Sequence, residues 1–438
     1  MGKLYLFLAS LLLMLTSSAL KAQDSEFIEL TLNKMFELAD SRNSEISVFE
    51  TAALKAEEDM QGVKNQYLPS IKASLSFSYN GDGTITDRNF SNSFSVPIPS
   101  FGNSFSLEVS QLIYNGGAVK GSIDMAKIQT EVAHLQSKNK LQEVRFMIVG
   151  NFMDLCKIEN NILVFESHII QTEKQLSHMQ LRYNEGAALL NDITRFELKL
   201  QNLQHTLIEL KNSKQILNNQ LTQALGLPIS VTIKPIRSWE NKIPDYTSSL
   251  NAYELLQTSQ VLEIANKEVD ISEQREKITR AGRYPTIALF AANHLNGPVT
   301  IDIPAINKNF NYWAVGVGVQ YNIDNLFKNG RKERSSKLAT VRAEEEQKVT
   351  NEQMFLAAET AIIRYKEAFS LLETRNKSLE LASDNYNVIN YRYDNDLAMI
   401  TDLLDASTQK LEAELQATNA QINIIYQYYK LKFISGTL

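Results

Sequence analysis

Apolar and polar residues alternate along four short segments of this chain. In the first segment every second residue from Ile71 to Tyr79 is apolar, and the residues between them are Lys72 and three serines. Because successive side chains of a strand point to opposite faces, this period of two predicts strands with one apolar and one polar face. The predicted strands lie at about residues 70–80, 104–114, 285–295 and 311–321.

Each segment has about 9–11 residues, the length that a tilted strand needs to cross the hydrocarbon core of a membrane. The polar faces contain Ser, Gly and Gln with few charges, as the wall of a water-filled lumen would. A soluble sandwich would instead turn the apolar faces inward. Aromatic residues recur at both ends of the segments, as in the interfacial belts of membrane barrels. Tyr67, Tyr114, Tyr284 and Tyr321 fall at the ends that adjoin the helices, and Tyr79, Tyr312 and Trp313 at the opposite ends. The pattern favours a transmembrane β-barrel.

Four strands in one chain cannot close such a barrel. An open edge in lipid would leave backbone N–H and C=O groups without partners, so other copies of the chain must complete the sheet. Two copies would give eight strands and a barrel filled by its own side chains, whereas three would give twelve strands around a lumen. The residues alone leave the number of copies open.

Two proline-free stretches of helix-forming composition, about residues 117–183 and 331–393, follow the strand pairs. At 1.5 Å per residue each predicts a rod of about 100 Å. Each stretch is followed by a short break and a returning helix, at about 191–225 and 401–435, with apolar residues spaced alternately by three and four as in coiled coils. Strands joined to such rods indicate a duct that projects from a membrane. The alternative, a fibrous coiled-coil protein with incidental strands, leaves the aromatic residues unexplained.

The two halves of the chain resemble each other. Residues 182–186 (RYNEG) recur about 210 positions later as residues 392–396 (RYDND), and residues 67–71 (YLPSI) recur as residues 283–287 (RYPTI). We interpret this as an internal two-fold repeat, both copies of which belong to one channel-tunnel domain. The predicted segments are a signal peptide at 1–22, a first repeat at 23–230 and a second repeat at 231–438.

The N-terminus is typical of an exported protein. Lys3 is followed by an apolar run from Leu4 to Leu15 and by small residues ending at Ala22. The run is shorter than the ~20 residues of a spanning helix, so we interpret it as a cleaved signal peptide rather than an anchor. Cys156 is the only cysteine and is interpreted as a small buried residue.

Composition and motifs exclude several functions. The formal net charge is −6 with interspersed signs, so the chain has no basic stripe for nucleic acid. The five histidines are scattered without metal-ligand spacing, and no nucleotide-binding, hydrolase or metalloprotease motif occurs. The sequence therefore predicts no enzyme activity, no cofactor and no metal site.

Several motifs, in their order and spacing, resemble the TolC-like family of outer-membrane efflux proteins. They are YLPSI at 67–71, QLIYNGG at 111–117, GLP at 226–228 and DLLDA at 402–406. The resemblance covers about residues 27–438. It implies a homotrimer with a twelve-stranded barrel in outer-membrane lipid and a helical barrel in the periplasm. It also implies docking to a periplasmic adaptor (membrane fusion) protein and to an inner-membrane RND or ABC transporter.

The same resemblance assigns candidate gate residues at the breaks between long and returning helices. Asp402 and Asp405 would ring the pore constriction, and Asp192 would face the second repeat and accept a hydrogen bond from Tyr393. Gly186 matches the tip glycine of the family, but its counterpart here is Asp396. The basic residue often found near the second tip is replaced in the 397–399 region.

The residues themselves leave two roles open for the tip acids. Three copies of Asp402 around an axis would favour cations and raise the carboxylate pKa values. Asp192 and Asp402 also stand where a helix-capping acid belongs. Together, the observations predict a passive exit duct, and the resemblance implies that it serves a tripartite efflux or type I secretion system. The alternative is a non-conducting structural or adhesive coiled-coil protein of the cell envelope.

Overall fold

The computed structural model describes residues 27–237 and 250–438, so the predicted signal peptide at 1–22 lies outside the described residues. Most of the described chain is helical. The helices are α1 (Leu32–Arg42), α2 (Ser44–Lys64), α3 (Ala118–Asn184), α4 (Leu190–Ala224), α5 (Ala252–Leu256), α6 (Gln260–Ala281), α7 (Asn325–Asp394) and α8 (Ile400–Ser435). The strands are β1 (Phe27–Leu30), β2 (Ser70–Tyr79), β3 (Gly83–Ile85), β4 (Phe94–Val96), β5 (Phe101–Tyr114), β6 (Thr232–Pro235), β7 (Thr286–Gly297) and β8 (Phe310–Gln320).

Two compact units share the chain. The sheet unit comprises Thr51–Gln136 and Val261–Thr350, and the helical unit comprises the rest of the described residues. Helices α3 and α7, of 67 and 70 residues, contribute to both units. Their lengths correspond to about 100 Å of continuous helix each. The returning helices α4 and α8 have 35 and 36 residues.

The sheet unit contains a four-stranded antiparallel sheet in the order β2-β5-β7-β8. These strands occupy the four segments with alternating polarity, and β5 begins three residues before the predicted start at about residue 104. The alternation survives in the register, because Leu75 pairs with Phe105 and Ser76 pairs with Ser104. One face of the sheet is therefore apolar and the other polar across the strands.

Hydrogen bonds between side chains link strands on the polar face. The Ser74 and Ser106 hydroxyls lie 2.8 Å apart, and Ser104 Oγ donates to Asn296 Oδ1 over 2.7 Å. The apolar face remains uncovered by the described residues: Phe77 is 64% exposed and Val317 is 62% exposed. An uncovered apolar face of this extent marks an interaction surface in a native protein.

The helical unit has its main core around the middle of α3. Phe152 and Met153 are fully buried there, together with Met35 of α1, Leu221 of α4 and Ile233 of β6. Burying each such side chain stabilises the fold by about 1.5–3 kcal/mol. This core ties the N-terminal helix and the β6 segment to the long helices.

A two-stranded parallel sheet of β1 and β6 also belongs to this unit, and sequence periodicity did not predict it. The buried Asn218 amide holds β6 in place, since its Nδ2 donates to Val231 O over 2.8 Å and its Oδ1 accepts from Ile233 N over 2.8 Å. Four-residue strands are too short to show a period of two, so the pairing could not be read from the pattern. Among the described residues, no helix combines the length and apolar character needed to cross a membrane.

Candidate functional site: the helical hairpin tips

Two helical hairpins, one of α3 and α4 and one of α7 and α8, end in turns of the same geometry. In the first, Ala187 N donates to Arg182 O over 2.8 Å, and in the second Leu397 N donates to Arg392 O over 2.8 Å. Gly186 and Asp396 occupy the same left-handed position, with φ of 74° and 58°. These turns, which satisfy carbonyls at the ends of α3 and α7, are the typical left-handed helix C-terminus.

The acids Asp192 and Asp402 cap the returning helices. The Asp192 carboxylate accepts from Leu189 N over 3.2 Å, and the Asp402 carboxylate accepts from Met399 N over 3.0 Å. Each thus satisfies a free amide at a helix N-terminus and places negative charge at the positive end of the helix dipole. Asp405 lies one turn beyond Asp402 and accepts from Gln409 Nε2 over 2.8 Å.

An ion pair that the sequence did not predict joins the two hairpins. The Arg182 guanidinium donates to the Asp396 carboxylate. The guanidinium also lies 5.7 Å from the centroid of the Tyr393 ring. The hydrogen bond from Arg182 to Asp396 raises the pKa of the guanidinium, so the positive charge is held firmly. A basic residue of the first tip therefore contacts the second tip.

Tyr393 does not make the predicted hydrogen bond to Asp192. Its hydroxyl instead contacts Met179 Sδ at 3.5 Å, and the Asp192 carboxylate accepts from Leu189 N. Burial raises the pKa of Tyr393, and the neighbouring Arg182 charge offsets that rise only in part. Tyr393 remains neutral and packs at the junction of the two hairpins.

Apolar packing supports the tips. Met179 of α3, Phe196 of α4 and Leu403 of α8 are almost fully buried in one cluster, with Tyr386 of α7 among them. Side chains of all four helices therefore meet below the two turns. This cluster fixes the relative position of the hairpins at the tips.

Polar side chains also link α3 with α7 and with α8, farther from the turns. The Tyr386 hydroxyl accepts from Gln175 Nε2 over 2.8 Å. The buried His168 lies 2.7 Å from Glu414, measured from Nε2 to Oε2. Burial alone would raise the pKa of Glu414, but the bond with His168 and the charges of His168 and Lys410 outweigh it and lower the pKa. Such a satisfied network specifies one register between packed helices.

The predicted aromatic belt residues lie towards the two ends of the sheet. One of them, Tyr312, lies on the polar face. Trp313 pairs with Asn293 and shares the apolar face, whereas Tyr312 pairs with His294 on the polar face. The Tyr312 and His294 rings lie 5.1 Å apart. The belt assignment of Tyr312 is therefore corrected, because adjacent strand positions point to opposite faces. The remaining members, Tyr67, Tyr79, Tyr114, Trp313, Tyr284 and Tyr321, are all exposed.

The fold is similar to that of several proteins of known structure. Its solved relatives include the outer-membrane channel OprN, with 15% identity, a TM-score of 0.79 and coverage of 93% of this chain and 90% of that chain. VceC from Vibrio cholerae has 14% identity, a TM-score of 0.77 and coverage of 92% and 96%. CmeC from Campylobacter jejuni has 16% identity, a TM-score of 0.79 and coverage of 93% and 85%. The fold is that of outer-membrane efflux channels.

The sequence agrees with the fold. Residues 35–227 match the family described as "Outer membrane efflux protein". The predicted resemblance to the TolC-like outer membrane efflux proteins is therefore confirmed, by the family match over these residues and by the fold. No curated protein matches the sequence.

Proposed function

We propose that this protein is the outer-membrane exit duct of a tripartite efflux or type I secretion system. Solutes would be delivered by a periplasmic adaptor and an inner-membrane RND or ABC transporter, and would leave through the duct without any reaction on it. The observation that carries the proposal is the four-stranded sheet, whose apolar face is uncovered and whose polar face is linked by hydroxyl side chains. The family match and the fold support it.

Three copies would complete the sheet. Strands β2 and β8 form the two edges of the sheet in one chain. In lipid these edges require partners, and pairing of β8 with β2 of the next copy would close a barrel without free edges. Twelve strands in three copies leave a lumen, whereas eight strands in two copies would be filled by side chains. We therefore favour the homotrimer.

The hairpin tips would form the gate of this duct. Asp402 and Asp405 lie one helical turn apart on α8 and are exposed. Three copies around an axis would concentrate negative charge and favour cations. The Arg182–Asp396 ion pair would hold the two hairpins of each chain together in the closed state.

Planar-bilayer conductance of the purified protein tests the proposal. We expect discrete single-channel currents, and we expect a heat-modifiable trimer from outer-membrane extracts. A trimer that carries no current would instead support a non-conducting structural protein of the envelope. A water-soluble monomer that never partitions into detergent would overturn both the duct and the barrel.

A further inference from the structure

At one end of the four-stranded sheet its strands join helices, all within the sheet unit. Strand β8 ends at Gln320 and α7 begins at Asn325, so the chain passes directly from one to the other. The connection and the first turn of α7 expose apolar side chains: Ile323 is 66% exposed, Leu326 58% and Phe327 73%. In sequence, they follow the exposed apolar residues Val317 and Val319 of β8.

Basic residues follow at once. Arg331, Lys332, Arg334 and Lys337 are all exposed on the first turns of α7, and we call these four residues the basic collar. None of them has an ion pair in the part of the chain that the structure describes. Among the described residues, the side chain of Arg334 alone of the four has a hydrogen-bond partner: its Nε donates to the backbone oxygen of Gly330 over 3.3 Å.

The neighbouring segments are basic as well. Residues 61–67, 115–127, 272–284 and 321–338, which flank this end of the sheet, contain twelve Lys and Arg residues but five Asp and Glu residues. Four of the five acids are already neutralised within the unit. The pairs are Asp124 with Lys127, Glu276 with Arg280, Asp324 with Lys328, and Glu333 with Arg283. The fifth acid, Glu273, lies in the second half of α6.

The ion pairs of the acids determine which charges remain unpaired on the surface at this end of the sheet. Within these four segments of the described chain, salt bridges neutralise four of the five acids and leave eight of the twelve basic residues without an ion pair. A concentration of positive charge beside exposed aromatic and aliphatic side chains is typical of a surface that meets an anionic membrane interface. Arg and Lys also bind phosphate oxygens directly, and Arg does so with two parallel hydrogen bonds.

We propose that the basic collar binds the headgroups of anionic phospholipids in the membrane leaflet beside this end of the sheet. The inference rests on the proposed function, since it needs the sheet to stand in lipid. Tyr284 and Tyr321 would then lie at the level of the headgroups, with the collar immediately outside them. Such binding would fix the depth of the barrel in the membrane.

Lipid retention tests this assignment. The full-length protein is reconstituted into vesicles of phosphatidylcholine with 20 mol% phosphatidylglycerol, re-extracted in mild detergent, and both lipids are counted per chain. The variant carries R331Q, K332Q and R334Q together. The matched control carries K348Q, R364Q and K366Q, which remove the same number of charges from later turns of α7.

We expect the lipid retained by the wild type and by the control to contain a larger fraction of phosphatidylglycerol than the vesicles do. In the variant this enrichment should fall by about five-fold or more. A change of about five-fold is what the loss of one basic residue near an anionic membrane surface would cause. The enrichment should also fall at high salt, where the Debye length is about 3 Å. Equal enrichment in all three proteins, or enrichment that salt leaves unchanged, would overturn the collar. Conductance of the variant distinguishes the two proposals, because the duct can conduct whether or not the collar binds lipid.

Discussion

At the scale of single residues, the tip of the second hairpin places a charge where glycine would fit the backbone more easily. A left-handed backbone costs a residue with a Cβ about 1–2 kcal/mol, and Asp tolerates it better than most residues. The ion pair of Asp396 with Arg182 offsets only part of this cost, because exposed pairs contribute about 0–1 kcal/mol, and the Asp396 side chain is 77% exposed. Its role is therefore better sought in the position of the hairpins than in stability.

Neutralising either member of this pair is expected to raise the conductance of the resting pore. Arg182→Gln and Asp396→Asn keep the approximate size of the side chain, and Asn also tolerates the left-handed backbone. Each variant removes the ion pair between the two hairpins, so the tip should open more readily. Single-channel recordings in planar bilayers give the measurement.

Arg392 provides the control for that experiment, because it occupies the place in the second hairpin that Arg182 occupies in the first. It has no ion pair among the residues that the structure describes. Arg392→Gln should therefore conduct like the wild type. Equal conductance of all four proteins would contradict a gating role for the Arg182–Asp396 pair.

A substitution of Asp402 and Asp405 by Asn distinguishes the effect of their negative charge from their role at the start of α8. Asp402→Asn with Asp405→Asn removes both charges but keeps an oxygen that can accept from Met399 N, so stability should change by less than about 1 kcal/mol. We expect a higher single-channel conductance and a weaker preference for cations, because like charges in a narrow pore favour cations. The reversal potential in a KCl gradient reports the preference.

Asp384→Asn serves as the control for the tip acids, since it removes an exposed charge from α7 outside the tip turns. Its reversal potential should match that of the wild type. If the double variant keeps the full cation preference, the constriction must lie elsewhere and the acids serve as caps alone.

At the scale of elements, the sequence pattern predicted the long helices and the regular strands. The period of two placed the strands of the four-stranded sheet, and proline-free composition placed α3 and α7 within a few residues, apart from the start of α7, which comes six residues earlier than Arg331. Local pattern could not give β1 and β6, which have four residues each, or the partner of Arg182, which lies 214 positions away. Contacts between distant positions depend on packing, and a single sequence does not encode them as a pattern.

The anchoring of β6 gives a test at this scale. Asn218→Ala should destabilise the β1–β6 sheet by about 2–4 kcal/mol, because it leaves two buried backbone groups without partners at about 1–3 kcal/mol each. The expected result is faster amide hydrogen exchange in residues 27–30 and 232–235. Asn219→Ala is the control, since its amide makes no such bond to β6, and equal exchange in both variants would contradict the anchoring role.

At the scale of the whole molecule, the proposed duct requires the two faces of the sheet to meet different solvents. The apolar face would meet lipid and the polar face would meet water, so adjacent residues of one strand should respond in opposite ways to the same substitution. Leu75 and Ser76 are such a pair, since both are exposed in the middle of β2 and point to opposite faces.

A lysine at each of these positions is expected to separate the two solvents. Leu75→Lys places a charge in lipid at a cost of about 2–4 kcal/mol per chain near the bilayer midplane, and three copies in a trimer multiply that cost. Ser76→Lys places the same charge in the aqueous lumen at little cost. The heat-modifiable trimer in outer-membrane extracts should therefore be lost in the first variant and kept in the second. Equal trimer yields would show that the apolar face does not meet lipid, because a lysine is tolerated differently on the lipid-facing and water-facing sides of a transmembrane sheet.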